Sequence, residues 1–207
     1  MLKRTIGRSL LALLVITGLA GTIDDNSLSK KERKYAINLL KETKEQAVHS
    51  VKNLSATQLD FKPGGDKWSV KECMIHIAAS EKGLWTLLET TMKGPANPEK
   101  RVEIKVTDEQ FVQMLQDRSA KYKTSENLQP QNTGYSSLPD AVADFVNQRM
   151  EHIKYLKNTT GDMRNHVVQM PFGWIDCYQL GLMVAAHTNR HVQQINEVKA
   201  DPGFPAK

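Results

Sequence analysis

Cysteine is nearly absent from this 207-residue chain, which holds only Cys73 and Cys177. Neither stands near residue 20, so the pattern of a lipid-anchored lipoprotein is excluded. Long apolar runs are missing too. The run from Leu10 to Leu19 is about half the roughly 20 residues that a membrane-spanning helix needs. It follows a basic start containing Lys3, Arg4 and Arg8, and it leads into Ala20 and Gly21. A basic start, a short apolar stretch and small residues at its end form the pattern of a secretory signal peptide over residues 1–20. The expectation is an exported protein, periplasmic or extracellular, with no stable membrane anchor; a retained amphipathic anchor is the other reading. Residues 1–20 carry three basic side chains and no acid, so without them the formal charge falls from +5 to +2. What remains lacks the concentrated basic face of a nucleic-acid binder. Internal repeats and low-complexity segments are also lacking.

The remaining residues, about 185, suffice for one domain with a substantial core, expected over residues 28–200. Segment 28–54 places Ala36, Leu39, Leu40, Thr43, Ala47, Val51 and Leu54 on one 3.6-residue stripe. Ser29 followed by Glu32 gives it a capping box. Pro63, Gly64 and Gly65 break the chain before a second helix, which starts at Ser69 with Glu72 three residues on and runs to about Met92. Val102, Ile104 and Val106 alternate like a short strand, and Thr107 to about Asn127 reads as a surface helix. A third long helix spans about Leu138–Lys157, with Pro139 in its first turn. After a mixed segment ending near Trp174, a last helix covers about Asp176–Ala200. The fold class expected is all-α: an antiparallel four-helix bundle with a long crossover between the second and third long helices.

Two histidines four residues apart, His187 and His191, interrupt the apolar stripe Leu180, Val184, Ile195, Val198 of the last helix. Positions i and i+4 lie on one helix face, about 6 Å apart along the axis. Two imidazoles so placed can hold one divalent metal ion, or they can be core histidines bonded to the protein. A third, His76, shares a face of the second helix with Cys73, Ser80 and Gly83, whose small size leaves room beside the ring. Three histidines would leave a coordination position open for water or substrate. Thr188 stands where a zincin has its glutamate base, so peptide hydrolysis by that route is disfavoured. If the three rings meet, Cys73 and Cys177 lie roughly 4.5 and 15 Å along their helices from them. The thiols then sit at different heights and are expected to be free.

Arg149 falls mid-stripe in the third long helix, among Val142, Val146, Ile153 and Leu156. It either pairs with a carboxylate such as Glu72 or Glu81, or faces the pocket and binds an anionic substrate group. Gln194, three residues beyond His191, could orient a ligand ring. Trp68 and Trp174 each precede a helix and are expected to pack or to line the pocket mouth. His49, His152 and His166 read as structural or solvated.

The runs Trp68–Glu81, Pro171-Phe172-Gly173 and Ala186–Ile195 resemble, as an ordered set, the DinB-like superfamily, and the resemblance covers about residues 30–200. It implies a four-helix bundle with a long crossover and a metal bound by His76, His187 and His191. Members of that family are described as metal-dependent hydrolases or as transferases and isomerases that use low-molecular-weight thiols. The function expected is an exported metal-dependent hydrolase acting on a small molecule. The alternatives are a non-catalytic metal- or ligand-binding bundle and a thiol-dependent S-transferase, which export disfavours. Zinc and nickel suit three imidazoles best among divalent ions. Partners are expected to be a small-molecule substrate or ligand, with no nucleic acid; a homodimer is compatible with this reading.

Overall fold

Four helices begin on one local device. Ser29, Ser55, Ser69 and Thr107 each accept from the backbone N–H three residues on, while Glu32, Gln58, Glu72 and Gln110 reach back to the cap N–H. The computed structural model describes residues 27–65, 67–119 and 123–206. The segment expected to be a signal peptide lies outside the described residues. Four long helices form the body: α1 (Lys30–Val51), α3 (Val70–Lys93), α5 (Leu138–Asn158) and α6 (Cys177–Lys199). Two short ones, α2 (Ala56–Asp60) and α4 (Asp108–Gln116), sit in the connections. Among the described residues no helix is long and apolar enough to cross a membrane.

The core has two ends. At one, Ala36 and Leu40 of early α1 meet Leu88 of late α3, Leu156 of late α5 and Leu180 to Ala186 of early α6. At the other, Ala47 of late α1 meets Val70 to Ala78 of early α3, Ala141 and Phe145 of early α5, and Val192 to Val198 of late α6. Helices α1 and α6 therefore run one way, α3 and α5 the other. Packing is antiparallel across α3/α6 and α1/α5 and parallel across α3/α5 and α1/α6. Two parallel neighbours in direct succession cannot be joined by a tight turn, so α3 reaches α5 through the long crossover 94–137. The bundle is the expected one. Cys73 and Cys177 lie at its opposite ends, buried and free.

Several local details differ from the sequence reading. The alternating residues 102–106 form no strand; Pro98–Glu103 is a 3-10 helix. Its ties to the hairpin segment are not a strand ladder: Asn97 bonds to Asn165 and Val167, and the Arg101 side chain reaches Asn165. The helix expected from Thr107 to Asn127 stops at Gln116. Side chains of α6 take the last carbonyls of α4: Arg190 donates to Leu115 and Asp117, and Gln193 donates to Gln116. Such bonds satisfy the orphan acceptors of a helix end and fix it there. Two further 3-10 turns, Glu126–Leu128 and Pro130–Asn132, follow. The mixed segment before α6 is a hairpin, β1 (Val167–Met170) with β2 (Gly173–Asp176), whose turn uses Gly173 at φ 133.

Candidate metal centre

His76 lies in the second turn of α3, and His187 and His191 lie on either side of the middle of α6. Because the two helices pack antiparallel, these positions fall at one level of the bundle. Their ligand nitrogens all lie within 4.8 Å of one another. Among the described residues this is the one group of three His, Cys, Asp or Glu side chains close enough to share an ion.

Each ring is aimed. His76 Nδ1–H donates to the Leu128 carbonyl at 2.8 Å, and His191 Nδ1–H donates to Gln194 Oε1 at 2.9 Å. Both leave Nε2 as the nitrogen with the lone pair. His191 Nε2 stands 3.2 Å from His187 Nε2, and His76 Nε2 is 3.3 Å from the Ser80 hydroxyl. Burial lowers all three pKa values: His76 against the opposing Leu128 hydrogen bond, His187 to about 3 and His191 well down, the neighbouring rings adding to the effect at the last two. The imidazoles are therefore neutral at physiological pH, the state in which they ligate metals. On a tetrahedral zinc ion with Zn–N near 2.0–2.1 Å, two ligand nitrogens stand about 3.3 Å apart. The His187–His191 separation matches that figure, so the donor set fits a divalent ion.

Trp68 is more than packing. Its ring lies 4.8 Å from that of His76 and is stacked 6.0 Å from that of His191, so it walls the centre. Trp174 sits elsewhere, in β2 beneath Lys100. Gln194, three residues beyond His191 on α6, is the acceptor of that ring's Nδ1–H. Thr188, at the zincin glutamate position, is buried in the core; it donates to Val184 and accepts from Arg149.

Arg149 settles into its pairing role. It is fully buried, and all five N–H bonds are taken: two by Glu81, and one each by Leu40 O, Thr43 Oγ1 and Thr188 Oγ1. No N–H is left for a substrate, so the structure corrects the reading of Arg149 as a substrate-binding residue. Among the other histidines, His49 is exposed and His166 bonds to the backbone of Asp162 and Gly94. His152 bonds to Glu81. The Leu128 carbonyl is the participant that sequence reasoning missed, since a backbone oxygen has no residue-type signal.

The family model of the DinB superfamily matches residues 39–195. The chain is 24% identical over 165 residues to the uncharacterized protein YuaE of Bacillus subtilis, spanning 79% of this chain and 96% of that one. Among solved structures it is similar to YfiT from Bacillus subtilis, described as a probable metal-dependent hydrolase with an unusual four-helix bundle topology. That match has a TM-score of 0.58 at 17% identity, covering 86% of this chain and 92% of YfiT. At that identity the likeness concerns the fold.

Proposed function

The chain belongs to the DinB superfamily, and from that premise we propose that it is an exported metal-dependent hydrolase of small molecules with a divalent ion, zinc or nickel, at His76, His187 and His191. The observation that carries this reading is the convergence of three neutral imidazoles, two of them with Nδ1 already pinned so that Nε2 is the ligating atom. A bound ion would supply Lewis acidity toward a carbonyl or phosphoryl oxygen. The protein's part is positioning. Leu128 O and Gln194 hold two rings, Trp68 screens the centre, and no carboxylate of the described residues joins the cluster. The YfiT description supports hydrolysis as the reaction type. Export rests on the residue pattern of positions 1–20.

The test is metal analysis of tag-free protein followed by a panel of esters, amides and thiol conjugates. One equivalent of metal is expected, lost in His76→Ala and in His187→Ala, with an ester or amide turnover that vanishes with the metal. Stoichiometric metal that persists in both variants would contradict the assignment of the site. A second reading, a non-catalytic metal-binding bundle, is favoured by the lack of a carboxylate base in the cluster. It predicts the same metal content with no turnover across the panel.

A further inference from the structure

A second constellation lies on the groove between α3 and α5, away from the triad. The Glu81 carboxylate is buried there and gripped by Arg149 at 2.6 Å on both oxygens. Burial alone would raise its pKa, but the charge and hydrogen bonds of Arg149 outweigh that, and the carboxyl is held below its usual range. An ionised carboxylate only accepts, so in the 2.8 Å contact with His152 the imidazole Nδ1–H is the donor. With the ring neutral, this fixes the tautomer and leaves Nε2 as the lone-pair nitrogen.

The rest of the ring is locked. Trp85 stacks on it with centroids 3.8 Å apart and planes 15° from parallel, and the His152 side chain is only 5% exposed. Yet Nε2 bonds to none of the described residues and is not sealed in. His152 forms part of the wall of an open cavity of about 520 Å³. Carboxylates dominate the charged side chains of that wall, with Glu89, Asp144 and Glu151 against Lys82. Glu89 Oε1 accepts from the Trp85 indole, and Asp144 Oδ2 accepts from Tyr135 and Gln148. The second oxygen of each is unbonded to any described residue. The cavity thus offers an oriented imidazole nitrogen and carboxylate oxygens, all acceptors, which suits a ligand rich in N–H donors and positive charge.

We propose that this cavity binds a small organic cation, an ammonium or guanidinium compound whose N–H groups donate to His152 Nε2 and to the carboxylates of Glu89 and Asp144. The site stands on its own observations and needs no metal at the triad.

The test is an NMR titration of the full chain, labelled at histidine and tryptophan, at pH 8 and fixed ionic strength. The probes are butylammonium, butyramide and butyrate, alike in length and differing in charge. Butylammonium alone should shift the His152 ring and Trp85 indole resonances in a saturable way. The Glu89→Gln/Asp144→Asn double variant, whose amide oxygens can still accept from Trp85, Tyr135 and Gln148, should weaken that binding by roughly tenfold. His152→Gln, followed at the Trp85 indole, should weaken it as well. The proposal is overturned if butyramide or butyrate binds as tightly, if no probe gives a saturable shift, or if the double variant binds butylammonium unchanged.

Discussion

Arg149 is a single side chain that ties all four long helices, through Leu40 and Thr43 of α1, Glu81 of α3, its own α5, and Thr188 of α6. Removing one member of a buried ion pair leaves the other charge without compensation, a loss of about 3–5 kcal/mol. Arg149→Met and Glu81→Gln should each destabilise the fold on that scale, as read by urea unfolding. The same pair sets a pH dependence. The folded Glu81 pKa is depressed, so its contribution is fully present above the unfolded value and is lost as pH falls through the folded one. Unfolding free energy should therefore fall with acidification from pH 5 downward, and less steeply in Glu81→Gln. Gln194 acts at a smaller scale. Its carbonyl oxygen orients His191, and Gln194→Ala should weaken metal binding by about 10–100-fold without loss of fold, measured by competition with a chromophoric chelator.

The long helices were legible because their signals are local. Ser29/Glu32 and Ser69/Glu72 announce two starts, and the stripe through Ala36, Leu40, Thr43 and Ala47 is the one that α1 buries. Ser69→Ala should lower stability by about 1 kcal/mol, as loss of an N-cap does, visible as a lower urea midpoint at unchanged slope. The connections were less legible because distant partners decide them. Nothing within 107–127 marks Gln116 as a helix end; the acceptors there are taken by Arg190 and Gln193, more than seventy residues on. The four-residue strands of the hairpin are too short to carry a period. At the centre, the helical spacing of His187 and His191 pointed to a shared face. His76 was singled out by its small neighbours, and the family resemblance joined it to the pair. The Leu128 carbonyl escaped, and the choice between packing and pocket wall stayed open for Trp68, because both depend on where distant segments come to rest.

At the scale of the whole molecule, the centre links α3 to α6 at the level where both pass through the core. An ion held by all three histidines would bind the folded chain and not the unfolded one, adding about 2.7 kcal/mol of stability at a hundred times its Kd. Zinc or nickel should raise the unfolding temperature of wild type, a chelator should reverse the rise, and His76→Ala should respond to neither. The parallel α3/α5 pair, joined by the crossover that supplies the Leu128 carbonyl, makes the bundle topology itself part of the site. The most direct measurement is the X-ray absorption spectrum of the zinc- or nickel-loaded protein. Three imidazole nitrogens are predicted in the first coordination sphere, for zinc at about 2.0–2.1 Å, with the imidazole signature diminished in His187→Ala. A sphere of oxygen or sulfur ligands, or a spectrum unchanged by that substitution, would contradict the assignment.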